Sequence, residues 1–252
     1  MNNDIKVALI TGGGTGIGRS SALALQKIGF NVIICGRREG PLKETALLAD
    51  PQHPKITVCT TDVSEGKSVG KLFNKILEDF GRLDVIFNNA GMGAPRVPFD
   101  ALKENDWRRC VDVNLTGTFL CAQAAFKVMK EQKPQGGRII NNGSVSAHSP
   151  RPNTIAYTAT KHAITGLTKS IALDGRAFNI ACSQLDIGNA DTAIGSRFKE
   201  GVPQASGEIK PEPVIDSDEC GRVIAYMSQL PLNTNILNMT LMATNMPFVG
   251  RG

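Results

Sequence analysis

The stretch TIAYTATKHAITG, residues 154–166, carries a tyrosine and a lysine at a spacing that suits acid–base chemistry. Its small and apolar residues predict a helix from about 155 to 174. Tyr157 and Lys161 would share one face of that helix, with Cβ atoms about 5–6 Å apart. A free phenol is a weak acid, with a pKa of about 10, and a neighbouring ammonium group favours the phenolate. The pair therefore predicts proton transfer near neutral pH. The alternative is an ordinary helix surface with a half-buried tyrosine and a lysine stem lying along it.

A glycine-rich loop, TGGGTGIGRS (residues 11–20), lies between a predicted strand and a predicted helix. Glycines allow a tight turn and let a phosphate approach backbone N–H groups. The strict G-x-G-x-x-G pattern does not fit in any register. The segment from Gly13 to Ser20 comes near the P-loop pattern, although Arg19 stands where that pattern has lysine. Three interpretations stay open at this point: a dinucleotide site, a P-loop NTPase, or a structural turn without a ligand.

The second predicted strand ends in VIICGRR, with Gly36 where an acidic residue would bind the ribose of NAD. Arg37 and Arg38 follow. Arginine accommodates the 2′-phosphate of NADP through charge-assisted hydrogen bonds. These residues favour NADP(H) over NAD(H), although NAD(H) stays possible. A solvated pair of loop charges is the plain alternative.

The order of elements predicts one α/β domain over residues 1–252, with a doubly wound (Rossmann-type) parallel sheet and helices on both faces. The predicted strands cover residues 6–11, 31–35, 55–60, 83–91, 136–144, 178–185 and 235–242. The predicted helices cover residues 18–30, 42–50, 66–81, 103–132, 155–174 and 216–229. Ligands bind such sheets beyond the carboxyl ends of the strands. Glycines and polar residues gather at those ends, which predicts the site there.

Residues 186–215 interrupt the alternation of strands and helices with glycine, proline and charge. The segment is too long for a simple connection, which favours a substrate-binding loop or lid. Disorder in the empty protein is the alternative. Together with residues 92–98, MGAPRVP, this segment is expected to shape the substrate pocket.

Composition excludes several other classes of protein. The 252 residues are 41% hydrophobic and 20% charged, and the net charge of +5 is dispersed, so a nucleic-acid partner is not expected. We find neither an apolar run of membrane-spanning length nor a signal-peptide pattern. Three histidines are too few and too unsupported for a metal site. His148 lies near Ser144, but the segment lacks the G-x-S-x-G elbow of a hydrolase. Six scattered cysteines predict reduced, packed thiols in a cytoplasmic protein: Cys35, Cys59, Cys110, Cys121, Cys182 and Cys220.

Taken together, the motifs resemble the classical short-chain dehydrogenase/reductase family over nearly the whole chain. T-G-x-x-x-G-x-G, D-V, N-N-A-G, a helix asparagine, a serine and Y-x-x-x-K follow one another in family order. The resemblance implies four catalytic residues: Asn114, Ser144, Tyr157 and Lys161. It also implies a set of residues that contact the cofactor: Thr11, Gly12, Thr15, Gly16, Ile17, Gly18, Arg37, Arg38, Asp62, Val63, Asn89, Ala90, Gly91, Tyr157, Lys161, Gly188 and Thr192.

The resemblance implies interconversion of a carbonyl and a secondary alcohol by hydride transfer. Tyr157 would be the general acid/base, and Lys161 would stabilise its phenolate and hold the nicotinamide ribose. Ser144 would hydrogen-bond the substrate oxygen, and Asn114 would hold a water that links Lys161 to solvent. The alternative is a catalytically idle NADP(H)-binding sensor or scaffold of the same fold.

Two segments depart from the family pattern. Ile187–Gly188 stands where the family has Pro-Gly, which leaves the path of the following loop toward Thr192 open. The C-terminus, MATNMPFVGRG, lacks the acidic ending common in relatives. The family also implies a homotetramer or homodimer formed through the helices near 103–132 and 155–174. The sequence does not identify the substrate.

Overall fold

The fold is a single parallel sheet of seven strands in a computed structural model that describes residues 5–192, 195 and 197–249. The strands are β1 (Val7–Thr11), β2 (Asn31–Gly36), β3 (Thr57–Thr60), β4 (Val85–Asn88), β5 (Gly137–Asn142), β6 (Ile180–Ile187) and β7 (Asn238–Leu241). Their order across the sheet is β7-β6-β5-β4-β1-β2-β3. The order reverses direction between β1 and β4, and this switch point opens a crevice at the carboxyl ends of both strands.

Helices cover both faces of the sheet. They are α1 (Gly16–Lys27), α2 (Glu39–Leu47), α3 (Gly66–Phe80), α4 (Glu104–Val111), α5 (Gly117–Glu131), α6 (Ile155–Asp174), α7 (Arg197–Glu200) and α8 (Ser217–Gln229). One apolar core joins the sheet to α3 and α5, and the other joins it to α1, α2 and α8. The predicted doubly wound α/β fold is confirmed.

Apolar spacing explains why these segments form these elements. All five residues of β1 are buried, as expected for a strand that is covered on both faces. In α3, the buried residues Val69, Leu72, Phe73 and Ile76 recur at helical intervals and form one apolar stripe. Burial of this stripe against the sheet provides most of the stability of such a helix.

The predicted continuous helix over residues 103–132 is interrupted. A π-helical stretch, Asp112–Thr116, separates α4 from α5 and has Asn114 at its centre. A π-bulge inserts a residue into a helix, and such bulges are frequent at functional sites. The insertion changes which face each side chain occupies on either side of Asn114.

Residues 186–215 contain short elements of their own. Residues Ala190–Asp191 pair in parallel with Ile215–Asp216, and Val202–Pro203 pairs antiparallel with Ile209–Lys210. Together with α7, these short strand pairs lie beyond the carboxyl end of β6. The beginning of the predicted loop is wrong, because β6 continues through Asp186 to Ile187.

All six cysteines are buried free thiols, as predicted. Burial raises the pKa of every one of them, to about 12 for Cys121, Cys182 and Cys220. Among the described residues, the helices lack the combination of length and apolarity that a membrane span needs.

Candidate active site

Tyr157 and Lys161 lie on the first turns of α6, at the spacing that the sequence predicts. The Lys161 ammonium group is 5.4 Å from the centre of the Tyr157 ring. It also donates a hydrogen bond of 2.7 Å to the carbonyl oxygen of Asn142, at the end of β5. Lys161 is buried, whereas Tyr157 is partly exposed toward the cleft. The ammonium group is therefore fixed beside the phenol.

Ser144 follows β5 and begins a short 3₁₀ turn, Val145–Ala147. Its Oγ accepts a hydrogen bond of 3.1 Å from the N–H of Ser146, and its own N–H donates to the Asp186 carboxylate at 2.9 Å. Ser144, Tyr157 and Lys161 line the same cleft. Three of the four predicted catalytic residues thus converge on one wall.

Asn114 lies behind that wall. Its Oδ1 accepts from the N–H of Met92 at 2.8 Å, and its Nδ2 donates to the Met92 carbonyl at 2.9 Å. A further hydrogen bond of 3.3 Å joins Nδ2 to Thr160 on α6. The side chain therefore fixes the segment after β4 against α6. The predicted water relay through Asn114 stays a prediction.

The glycine loop is shaped by close backbone contacts. Gly12 has a φ of +67°, and its N–H donates a hydrogen bond of 2.7 Å to the Cys35 carbonyl. A Cβ on Gly18 would lie 2.2 Å from the carbonyl oxygen of Gly12, so a side chain does not fit there. These contacts leave the first turn of α1 at the cleft, where helix N–H groups and the helix dipole attract anions.

Thr11 supports the loop from behind. Its Oγ1 accepts hydrogen bonds from the N–H groups of Asn89 and Ala90, at 3.0 and 2.9 Å. The Asn89 side chain donates in return to the carbonyls of Thr11 and Gly12. Thr11 joins the ends of β1 and β4, while Asn89 and Ala90 face the cleft.

Arg19 points away from the cleft, which contradicts the P-loop interpretation. Its guanidinium donates to the Gly14 carbonyl at 2.8 Å and to Thr45 Oγ1 at 3.0 Å, and it forms an ion pair with Glu44. A P-loop lysine reaches toward phosphates. Arg19 instead holds the back of the glycine loop against α2.

The far end of the cleft carries Arg37 and Arg38 on one side and Asp62 on the other. Both arginines are exposed. The Asp62 carboxylate accepts from the N–H and Oγ of Ser64, at 3.0 and 2.6 Å. Burial raises the pKa of Asp62, but the hydrogen bonds from Ser64 and the charge of Arg37 outweigh it and leave that pKa below its usual value.

After β6, the chain reaches the cleft without the proline that the family has at this position. Ile187 is the last residue of β6, and the N–H of Gly188 donates to the Leu241 carbonyl at 2.8 Å. Thr192 returns to the glycine loop, because a Cβ on Gly16 would lie 2.9 Å from Thr192 Cγ2. Gly188 and Thr192 therefore both reach the cleft.

The cleft has a volume of about 460 Å³, within the range of small-molecule sites. Every predicted site residue lines it except Thr11 and Asn114, which lie behind its wall. The predicted residues on the wall are Gly12, Thr15, Gly16, Ile17, Gly18, Arg37, Arg38, Asp62, Val63, Asn89, Ala90, Gly91, Ser144, Tyr157, Lys161, Gly188 and Thr192.

An ion pair that the sequence does not reveal joins residues 186–215 to the catalytic wall. Arg151 makes two hydrogen bonds to Glu212, of 2.6 and 2.5 Å, and both side chains are buried. Asn189 and Gln204 donate to the same carboxylate, at 2.8 and 2.9 Å. Burial raises the pKa of Glu212, but these hydrogen bonds outweigh it and lower that pKa to about 2. Arg151 also lies over the Phe198 ring, 5.3 Å from its centre.

His148 has a buried partner at the end of β6. Its Nε2 lies 2.8 Å from Asp186 Oδ2, and its ring packs edge-on against Phe248. Asp186 itself is fully buried and is a residue that sequence reasoning missed.

Comparisons with known proteins agree with this geometry. The short chain dehydrogenase family profile matches residues 6–202, so the chain belongs to that family. It is similar to the 3beta-hydroxysteroid dehydrogenase of Mediterraneibacter gnavus, with 34% identity over 206 residues that cover 82% of this chain and 74% of the relative.

Two solved structures share the fold over almost their whole length. The alcohol dehydrogenase of the archaeon Thermococcus sibiricus, complexed with 5-hydroxy-NADP, has a TM-score of 0.83 and 25% identity, covering 96% of this chain and 98% of that one. The 3-ketoacyl-(acyl-carrier-protein) reductase of Brucella melitensis, complexed with NADH, has a TM-score of 0.81 and 25% identity, covering 95% and 98%.

The family resemblance read from the sequence is confirmed, and the chain is an oxidoreductase of the alcohol–carbonyl type. The P-loop alternative is wrong, the exclusion of a hydrolase agrees with the family, and family membership favours an enzyme over an idle binding module. The cleft fits a nicotinamide dinucleotide. The start of α1 offers N–H groups for a pyrophosphate, and Arg37 and Arg38 line the cleft beside the end of β2.

Proposed function

We propose that this protein is an NADP(H)-dependent oxidoreductase that interconverts a carbonyl and a secondary alcohol, with Tyr157 as general acid/base. One observation carries the proposal: Tyr157, Lys161 and Ser144 converge on the wall of a cleft that begins at the glycine loop. A bound nicotinamide would supply or accept the hydride. The protein would position the substrate oxygen and handle its proton.

Each catalytic side chain has a distinct task in this proposal. The Tyr157 hydroxyl donates a proton to the carbonyl oxygen in reduction, and the Tyr157 phenolate removes the proton of the alcohol in oxidation. Lys161, held at the Asn142 carbonyl, stabilises the phenolate and is available to a cofactor ribose. The Ser144 hydroxyl donates to the substrate oxygen, on which negative charge develops. Asn114 holds the backbone of Met92, which lines the cleft, in place.

The test is Tyr157→Phe. This variant keeps the ring and loses the proton donor, so we expect turnover to fall about 100- to 10,000-fold. NADPH binding, measured by fluorescence titration, should stay within a factor of about three. Turnover is followed as NADPH oxidation across ketones, aldehydes, quinones and 3-oxoacyl thioesters. Near-normal activity in Tyr157→Phe would refute the assignment, and consumption of none of the compounds by the wild type would favour the idle module.

The preference for NADP(H) is part of the proposal. Gly36 leaves room at the end of β2, and Arg37 and Arg38 are exposed at the cleft. A thermal-shift comparison of NADPH and NADH tests it, with a larger shift expected for NADPH. NAD(H) stays the alternative cofactor.

Residues 186–215 and 92–98 would form the substrate end of the site. Met92, Ala94 and Phe198 give this end an apolar surface beside Ser144. The Arg151–Glu212 pair joins this segment to the residues that precede α6. Loop swaps that change turnover between carbonyl compounds without changing NADPH affinity would support this assignment.

We further propose a homotetramer or homodimer. Trp107, Phe119, Ile155 and Leu173 are partly exposed apolar side chains on α4, α5 and α6. Such side chains suit subunit contacts. Size-exclusion chromatography with light scattering measures the mass directly, and a monomer would contradict the proposal.

A cytoplasmic location is the remaining part of the proposal. Six free, buried thiols suit a reducing compartment. Cell fractionation tests it.

A further inference from the structure

Asp186 is a fully buried carboxylate at the carboxyl end of β6. Its Oδ1 accepts hydrogen bonds from the Ser144 N–H at 2.9 Å and from the Gln184 amide at 2.7 Å. Its Oδ2 accepts from the Asn238 amide at 2.8 Å and lies 2.8 Å from His148 Nε2. Donors from three segments of the chain thus converge on one buried charge.

The chain makes room for this carboxylate at Gly143. A Cβ on Gly143 would lie 2.0 Å from Asp186 Oδ1 and 2.8 Å from Gln184 Cγ. The N–H of Gly143 donates to the Leu185 carbonyl at 2.8 Å. The glycine before the active-site serine is therefore what allows Asp186 to reach the Ser144 N–H.

The segment 142–144 is held at both ends by charged groups. The Lys161 ammonium group binds the carbonyl of Asn142, and the Asp186 carboxylate binds the N–H of Ser144. Lys161 therefore holds the segment at Asn142, and Asp186 holds it at Ser144. Ser144, which lines the cleft, lies at the end that Asp186 holds.

We propose that Asp186 is a positioning residue that holds Ser144 in the geometry required for turnover. The inference rests on the proposed function, in which Ser144 binds the substrate oxygen. A buried charge destabilises a protein unless hydrogen bonds satisfy it. Here Ser144, Gln184 and Asn238 donate hydrogen bonds to the Asp186 carboxylate, which lies behind the active-site wall. Asp186 does not line the cleft, so it acts through Ser144.

The test is Asp186→Asn, which keeps the shape and replaces one acceptor oxygen by a donor group. We expect kcat to fall about 10- to 100-fold, since a displacement of about 1 Å can cost about 100-fold in rate. The NADPH Kd should change less than about twofold. The substrate is the carbonyl compound with the highest wild-type turnover in the panel described above.

A double-mutant cycle with Ser144→Ala separates positioning from a general structural effect. If Asp186 acts through the Ser144 hydroxyl, Asp186→Asn changes kcat less than about twofold in the Ser144→Ala background. An equal fold-loss in both backgrounds would overturn the inference and leave the proposed function intact. Normal turnover by Ser144→Ala alone would instead contradict the proposed role of Ser144.

Hydrogen–deuterium exchange gives a readout that needs neither substrate nor cofactor. In Asp186→Asn, peptides covering residues 142–149 should exchange at least about 10-fold faster. The matched control is Asp84→Asn, because Asp84 also accepts a backbone N–H, from Val7 at 2.8 Å, at the opposite end of the sheet. That control should leave exchange of 142–149 and kcat unchanged. Exchange and kcat both within twofold of the wild type in Asp186→Asn would overturn the inference.

Asn238→Ala decides the matter if Asp186→Asn does not fold. Asn238 is exposed, and its loss removes one donor to Oδ2 without touching the contact with Ser144. We expect kcat to fall about two- to fivefold, and the effect to vanish in the Ser144→Ala background. An equal loss in both backgrounds, or no loss in either, would overturn the inference.

Discussion

The two ends of the cleft are built in different ways. The nucleotide end depends on backbone geometry: the turn at Gly12, the close approach at Gly18 and the hydrogen bonds at Thr11 that join the ends of the parallel strands β1 and β4. The substrate end depends on buried charged side chains that come from distant segments, as in the Arg151–Glu212 pair. The comparison teaches that a binding surface for a common ligand can be built from local chain geometry, whereas the surface beside the reacting atoms needs long-range charge pairing.

The largest expected effect is at the substrate end, in Glu212→Gln. The variant leaves Arg151 buried without its counter-charge, and breaking a buried pair costs roughly 3–5 kcal/mol. We expect the loop to open far more often, and trypsin to cleave faster after Lys199. The matched control is Glu208→Gln, which removes an exposed pair with Lys210 and should change little. Equal cleavage rates in the two variants would contradict the idea that this charge holds the loop.

The pH dependence of stability should report the same pair. The pKa of Glu212 is about 2 in the folded protein, below its ordinary value of 4.5. A lowered folded-state pKa stabilises above the unfolded value, so the contribution is complete above about pH 4.5 and is lost as the pH falls toward 2. The difference in unfolding free energy between wild type and Glu212→Gln, measured in urea, should be constant from pH 5 to 8. It should shrink below about 4.5. A difference that grows on acidification would have the wrong sign.

At the nucleotide end, Gly18→Ala should weaken NADPH binding. The added Cβ would lie 2.2 Å from the Gly12 carbonyl oxygen, and overpacking of this kind costs about 1–3 kcal/mol, which corresponds to about 5- to 150-fold in Kd. Gly70→Ala is the control, because Gly70 lies in α3 with open space around its Cβ position. Trypsin cleavage of the substrate loop should be unchanged in Gly18→Ala. Faster cleavage would mean that the two ends are not independent.

The smallest expected effect is that of Arg37→Ser on cofactor preference. The loss of one exposed guanidinium should reduce the ratio of NADPH to NADH affinity about 10-fold, since a charge-assisted hydrogen bond contributes roughly 1.5 kcal/mol. Titration with both cofactors measures the ratio. Lys43→Ser, which removes a cation of the exposed pair with Glu39 on α2, serves as the control. An unchanged ratio in Arg37→Ser would indicate that Arg37 does not bind the phosphate.

The sequence predicted the local features of the site better than its long-range pairs for a physical reason. Glycine spacing and the four-residue interval from Tyr157 to Lys161 are local patterns, and local patterns survive in a single sequence. The pairing of Arg151 with Glu212 joins residues 61 positions apart, for which no periodicity exists. The sequence does not reveal the π-helical insertion at Asn114, because one extra residue hardly alters the apolar pattern of residues 103–132.

Asp186 is a second example of a residue whose long-range contacts a single sequence does not reveal. The predicted sixth strand ends at residue 185, yet β6 continues to Ile187 with every residue buried. A buried aspartate is tolerated because hydrogen bonds surround it, and those donors come from segments that only the fold brings together. The prediction of strand 178–185 was therefore right in its core and wrong at its end.

The six buried thiols can report local opening of the structure through their rates of alkylation. A thiolate is the reactive form, and burial keeps it scarce at every one of these positions. An alkylating reagent can therefore modify a given cysteine only while the surrounding structure is open. Because Cys110 touches Asn114 whereas Cys220 lies on α8, the alkylation rates at these two positions would time the opening of the active-site wall and of the opposite face separately.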